Sequence, residues 1–283
     1  MMRYSRLLLL AFVLILPWAD HAFPQGSSER ETLKSVKITD TQRVRSAIIE
    51  TRDVSTTQAD LVQVKTLRVM ANRVTFSLAL PQNAEESSLS RFKSDENALA
   101  VFTGGFLDTY SPATPAGLVQ HHDMIQNELR DDPVMKAVVC YLSDPVKPVA
   151  IMAANEFKAG MTKGDCIQTG PFLALNGKEA TDFDALEKSL PDAYPFARGL
   201  FQRSFLALNA RNEITIGVST RISLFALRDL LLRSASDHGF GATIAVGLSG
   251  TRTAGFVIEA DGKRITAGAV QTLLPNAGVI KER

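Results

Sequence analysis

Gly104 and Gly105 follow an apolar run, and Asp108 stands three residues beyond them in Phe102-Thr103-Gly104-Gly105-Phe106-Leu107-Asp108. Adjacent glycines let backbone approach another group closely and can present N–H donors to an anion. Asp108 is a candidate acid or base beside them. Further on, Arg203 opens the apolar stretch 203–208, where its planar guanidinium suits a phosphate or carboxylate in a way that Lys does not. Ser249, Gly250 and Thr253 close the set in Ala245-Val246-Gly247-Leu248-Ser249-Gly250-Thr251-Arg252-Thr253. Two other chemistries fail on spacing. Gly247-Leu248-Ser249-Gly250 puts its second glycine one position early for a nucleophile elbow, and no His follows His238. His121-His122-Asp123 offers metal-ligand types, but neighbouring side chains on a strand point to opposite faces, so a solvated loop is expected.

In chain order the blocks at 102–108 (with Pro115-Ala116-Gly117-Leu118-Val119), 167–178, 203–208 and 245–253 resemble the phosphodiester glycosidase family, the N-acetylglucosamine-1-phosphodiester alpha-N-acetylglucosaminidase-like domain. That family shows Asn-Gly-Gly-Phe-Phe with a downstream Pro-x-Gly, then Gly-Pro-x-Leu ending in Asn-Gly-Lys. Arg-Thr opening a strand follows, and Leu-Asp-Gly-Gly-Gly-Ser closes the series. The resemblance covers roughly residues 60–270. It implies a hydrolase acting on a sugar phosphodiester or related glycan linkage. It places Ser249 at the position of the family's carboxylate, with Asp108 the remaining acid or base candidate for catalysis, and Thr103, Gly104, Gly105, Arg203, Gly250 and Thr253 around a carbohydrate or sugar-phosphate ligand. A divalent cation is also implied, although the chain shows no dedicated ligand set and no other cofactor. The departures point to an alternative. Thr103 stands for the family's Asn, Leu107 for the second Phe, and Ser249 for the carboxylate, while Thr251 and Arg252 replace two glycines. Glycoside cleavage through an oxocarbenium-like state ordinarily uses paired carboxyl groups, and Ser249 carries no charge at neutral pH. The alternative is therefore a catalytically altered glycan- or envelope-binding protein of the same fold.

The elements that must position these residues read as strands. Residues 61–70 and 74–80 alternate apolar with polar or small side chains, as a half-buried pair turning at Ala71-Asn72. Residues 83–95 read as a charged connector, and 98–102 as a short apolar strand. Asn176-Gly177 and Asp261-Gly262 each supply the positive φ values of a tight hairpin turn, and residues 205–208 and 214–218 form a third hairpin. Ser223 caps a helix to 233 whose Leu224, Leu227, Leu230 and Leu231 share one core-facing stripe, with Arg228, Asp229 and Arg233 on its wet side. A second, short helix fits 182–190. Many strands, few helices and no βαβ run define an α+β fold on a mostly antiparallel or mixed sheet.

The 283 residues include 31 Lys+Arg and 30 Asp+Glu, with 45% hydrophobic and 22% charged residues, which excludes wholesale disorder and a basic nucleic-acid binder. Arg3 and Arg6 precede an apolar run at 7–16 and a small-residue exit at Ala22, the form of a secretory signal peptide. The expected organisation is a signal peptide at 1–22, a mobile polar leader at 23–58 that can end in an edge strand near 44–49, and one domain at 59–283. Loss of 1–22 removes two Arg and one Asp and leaves 29 charges of each sign. No bilayer span remains after signal removal, and a periplasmic or secreted location follows. Export places Cys140 and Cys166, the two cysteines, in an oxidising compartment where a disulfide between them is expected.

Overall fold

Alternating burial along the strands closes three antiparallel sheets over a shared interior. The computed structural model describes residues 29–83, 87–159, 161–190 and 195–283. The expected signal peptide lies outside them. The largest sheet runs in the order β1 (Leu33–Val44), β2 (Ala47–Thr56), β3 (Val62–Met70), β16 (Glu213–Ile222), β15 (Phe201–Asn209), β17 (Ala242–Gly250), β13 (Phe172–Leu175), β14 (Lys178–Glu179). The second orders β11 (Val149–Ala153), β10 (Ala137–Tyr141), β12 (Asp165–Thr169), β8 (Val119–His121) and β9 (Met124–Asn127). The third orders β19 (Lys263–Gly268), β18 (Gly255–Ala260), β5 (Ala100–Thr103), β20 (Ala277–Glu282) and β4 (Val74–Ala79). A two-stranded ribbon joins β6 (Leu107–Tyr110) to β7 (Ala113–Pro115). Three short α-helices, α1 (Leu89–Glu96), α2 (Phe183–Ser189) and α3 (Leu224–Leu232), and single 3-10 turns at Ala71–Arg73, Ala154–Glu156 and Ala235–Asp237 complete the described elements. This is the mostly antiparallel α+β architecture expected from the strand-rich pattern.

The main core draws on all three sheets: Ile49 and Leu67 from the first, Val139 and Ile167 from the second, Phe102 and Phe256 from the third. Tyr141 stacks on Phe76 at 5.9 Å, and Phe102 meets both rings edge-on at 6.4 and 6.3 Å. These aromatic contacts add directional packing to the apolar burial that joins the sheets. A second core lies where α2 and α3 cover the large sheet, with Phe183, Phe225 and Leu227 packed near Phe205 and Ala245. Ser223 starts α3 by accepting the Ala226 N–H, and Asp182 does the same for α2 from Asp184 and Ala185.

Four expectations change. Residues 33–56 are a hairpin, β1–β2, at the edge of the large sheet rather than part of a leader. Its buried positions include Glu50 and Arg52, ion-paired at 2.8 Å, and this polar burial hides the strand from an apolar count. Residues 61–70 and 74–80 are strands but do not pair. The turn at Ala71–Arg73 carries the chain from the large sheet to the third, where β4 pairs with β20. The connector contains α1, capped by Ser88. Arg228 lies inside, not on the wet side. Its guanidinium sits 4.9 Å from the Phe183 ring centre and 2.9 Å from a Glu179 carboxylate oxygen. Cation–π contact and the ion pair compensate only part of its desolvation, which still pulls the guanidinium pKa down.

Cys140 and Cys166 face each other across β10 and β12, fully buried, and form the disulfide. The crosslink spans a sequence separation of 26. Chain-entropy arguments give a closure of that size about 3–4 kcal/mol of stability. Denaturant unfolding of oxidised and reduced protein is expected to differ by that amount; coincident midpoints would show that the crosslink contributes nothing.

Candidate functional site

One end of β15 builds a cleft of about 180 Å³ against β17. In the β15–β17 register Arg203 lies opposite Gly250, and Ser204 opposite Ser249. The Ser204 hydroxyl donates to the Ser249 carbonyl at 2.9 Å and accepts the Ser249 N–H at 3.0 Å. Such side-chain bridging replaces regular ladder bonds where the register shifts after Ser204. Ser249 Oγ is hydrogen-bonded to Thr253 Oγ1. The Thr253 hydroxyl also lies 3.0 Å from the Gly250 carbonyl. Opposite, Gly170-Pro171 is clamped to β17: the Gly170 N–H donates to Gly247 O at 3.1 Å, and the Gly247 N–H to Pro171 O at 3.0 Å. A Cβ on Gly247 would meet the Gly170 carbonyl at 2.7 Å, so that close approach depends on glycine.

Arg203 is buried, and its polar contacts are specific. Its Nη2 donates to the carbonyls of Phe196 at 2.6 Å and Gly199 at 3.3 Å. The guanidinium centre lies 5.3 and 5.0 Å from the ring centres of Phe196 and Phe201. Nη1 lies on the side of Gly250, and both residues line the cleft. The positive charge is thus held in place by backbone carbonyls and aromatic faces, a low-dielectric setting that strengthens its attraction for an anion.

Arg203, Ser249, Gly250 and Thr253 therefore lie together on the cleft wall. Four residues expected beside them do not line it. Asp108 is half-exposed on the β6–β7 ribbon and pairs with Arg130 at 3.3 Å, an arrangement that water screens. Thr103 is buried beneath the cleft. Its hydroxyl lies 2.5 Å from the Thr253 carbonyl and accepts the Gly255 N–H at 2.9 Å. Gly104 and Gly105 accommodate Asn276 rather than an anion: the Gly105 N–H donates to Asn276 Oδ1 at 3.0 Å, and a Cβ on Gly104 would meet that oxygen at 1.8 Å. The glycine pair and Thr103 shape the wall from behind.

Sequence reasoning missed the aromatic lining, Phe106, Tyr110, Phe196 and Phe201. Phe196 and Phe201 precede Arg203 within seven residues, a cluster that was legible as a candidate stacking platform. Rings beside a guanidinium and hydroxyls suit the apolar face and polar edge of a sugar. The cleft is smaller than the roughly 300–1,000 Å³ of drug-sized sites. Among the described residues that line it there is no carboxylate or imidazole. The divalent cation implied by the resemblance therefore finds no fitting donor set in the cleft.

No family model matches the sequence, and no curated protein matches it. Solved structures do. The catalytic domain of zebrafish N-acetylglucosamine-1-phosphodiester alpha-N-acetylglucosaminidase, auto-inhibited by its pro-peptide, is similar with a TM-score of 0.63 at 11% identity, over 89% of this chain and 88% of that one. A hypothetical protein from Synechocystis gives 0.59 at 11% identity over 89% of this chain and 68% of the other. A protein from Burkholderia pseudomallei described as exported gives 0.50 at 11% identity over 78% and 74%. The chain thus has a fold like that of a phosphodiester glycosidase catalytic domain.

The wall behind the cleft generates a stability prediction. Gly104→Ala is expected to displace Asn276 and cost about 1–3 kcal/mol, the usual range for overpacking a filled interior. Unfolding in urea reads this directly; a wild-type midpoint would show that Asn276 does not require the glycine.

Proposed function

We propose that this chain is an exported binding protein of the phosphodiester-glycosidase fold that recognises a sugar phosphate, or a sugar phosphodiester in an envelope glycan, without cleaving it. Arg203 faces the phosphate, the Ser249 and Thr253 hydroxyls meet sugar or phosphate oxygens, and Tyr110 and Phe201 pack against the ring. The observation that carries this reading is the Ser249–Thr253 hydroxyl pair beside Arg203, in a cleft whose described lining has no carboxylate. Proton transfer at a glycosidic oxygen and stabilisation of the cationic sugar both rely on carboxyl groups. Hydroxyls bind such a ligand but do not replace those groups. The Cys140–Cys166 disulfide supports a location outside the cytoplasm. Among the described residues no helix is long and apolar enough to cross a membrane. Residues 59–283 and the β1–β2 hairpin act in this reading as one domain.

A second reading, hydrolysis of the same linkage, is favoured by the fold shared with the zebrafish catalytic domain. Asp108 is badly placed to assist it, so Ser249 and Arg203 would carry any residual chemistry. Titration with an N-acetylglucosamine 1-phosphodiester, with released sugar assayed in the same samples, separates the two. Saturable binding without sugar release is expected. Tyr110→Ala, at a side chain 56% exposed, is expected to weaken affinity by roughly tenfold, about 1.4 kcal/mol. Sugar release that disappears in Ser249→Ala would establish the hydrolase instead, and absence of both binding and release would contradict both readings.

A further inference from the structure

The β8–β9 hairpin carries a second constellation, which shares no lining residue with the cleft. The chain turns at His122 and Asp123 with φ of 49° and 64°, both left-handed. This turn defeats strand alternation. Instead of pointing apart, the His121 and His122 rings stack with centroids 3.8 Å apart and an interplanar angle of 28°. Asp165, buried at the start of β12, lies against them. Its Oδ1 accepts the His122 N–H at 2.9 Å and its Oδ2 the Leu78 N–H at 2.8 Å. The carboxylate is thereby fixed by backbone donors from two other strands, with lone-pair capacity left over.

His121 Nδ1 lies 3.2 Å from Asp165 Oδ1, yet this buried nitrogen has no hydrogen-bond partner. The two atoms are close, but not in hydrogen-bonding alignment. Their separation is close to the roughly 3.3 Å edge of a tetrahedron built on metal–ligand bonds of about 2.0–2.1 Å. Ligand-capable atoms of His121, His122 and Asp165 all lie within 4.8 Å of one another. A second orphan points to the same place. Tyr141 stands opposite Asp165 in the β10–β12 register, is 2% exposed, and its hydroxyl has no partner. Tyr141 and Asp165 both border an open hollow of about 810 Å³ that His122, Asp123 and Lys163 also line. Lys163 is drawn towards Asp123, at 3.7 Å.

We propose that His121, His122 and Asp165 form a site for a divalent transition-metal ion of the zinc class, with its remaining coordination position open to the hollow beside Tyr141. Two imidazoles and one carboxylate suit zinc, cobalt, nickel or copper, whereas calcium and magnesium prefer oxygen throughout. A bound cation removes the difficulty of stacking two imidazoles that would repel each other if both were protonated. It also gives the unpartnered Nδ1 a partner. The disulfide keeps both cysteines out of the competition. Hydrogen-bonded support of the ligating carboxylate by the His122 and Leu78 N–H groups is what holds such ligands in orientation.

The test uses chelator-treated, tag-free protein titrated with Co²⁺, followed by visible absorption, and with Zn²⁺ by calorimetry. One equivalent of metal is expected to bind, with His121→Ala and His122→Ala each lowering affinity at least tenfold and His238→Ala leaving it unchanged. His122 is exposed, so its variant keeps the apo fold, which the melting curve without metal verifies. Absence of saturable binding, or a loss smaller than tenfold in either hairpin variant, overturns the proposal. Because the readout is metal binding alone, its failure leaves the sugar-phosphate cleft untouched.

Discussion

The register of β15 is the constraint on which the cleft depends. A strand has a side-chain period of two, so a slip of one residue would send Arg203 to the opposite face and bring Gln202 or Ser204 in its place. Three sets of contacts hold the register. Ser219 Oγ accepts the Arg203 N–H from one side, Ser204 is hydrogen-bonded to Ser249 on the other, and Phe205 fills the space that Gly217 leaves vacant. Irregularities in pairing fall on both neighbours of β15, between Phe201 and Arg203 against β16 and between Ser204 and Phe205 against β17. A further shift between Leu208 and Asn209 against β17 lies at the far end, so regular pairing holds over Phe205–Leu208, where the strand packs in the core.

The polar groups of this region divide into those that build the wall and those that line the cleft. Thr103 and Asn276 bind backbone at the ends of β5 and β18, and the Arg203 Nη2 binds the 196–199 loop. These groups are buried, where an unpaired partner would cost more than the bond itself contributes. Ser249 and Thr253 are also buried and bonded to each other, and with the aromatic rings they line the cleft. Rigid support behind a small polar mouth is the arrangement that reduces the ordering cost of binding.

Local signals were legible where the physics is local. Asn176-Gly177 and Asp261-Gly262 do form the hairpin turns β13–β14 and β18–β19, with both residues of each pair at positive φ. Ser223 and Asp182 do cap helices. What escaped depends on distant partners. The β1–β2 hairpin escaped because Glu50 and Arg52 are buried as a pair, and an isolated reading of charge places them in water. Arg228 escaped because its burial requires Phe183, Phe225 and Glu179 from other elements. Asp108 was assigned to the cleft by its proximity to Gly105 in sequence, but the β6–β7 ribbon carries it out to Arg130. The histidine pair escaped because two left-handed residues at the turn, neither of them glycine, reverse the expected alternation.

The fold, the aromatic lining and the held guanidinium form one account only if segments far apart in the chain respond to the same ligand. Amide hydrogen exchange with and without a sugar 1-phosphodiester measures this directly. The account predicts joint protection at 104–110, 170–171, 196–204 and 247–253, with the β8–β9 hairpin unaffected. Protection confined to one of these segments, or appearing only elsewhere on the molecule, would contradict it.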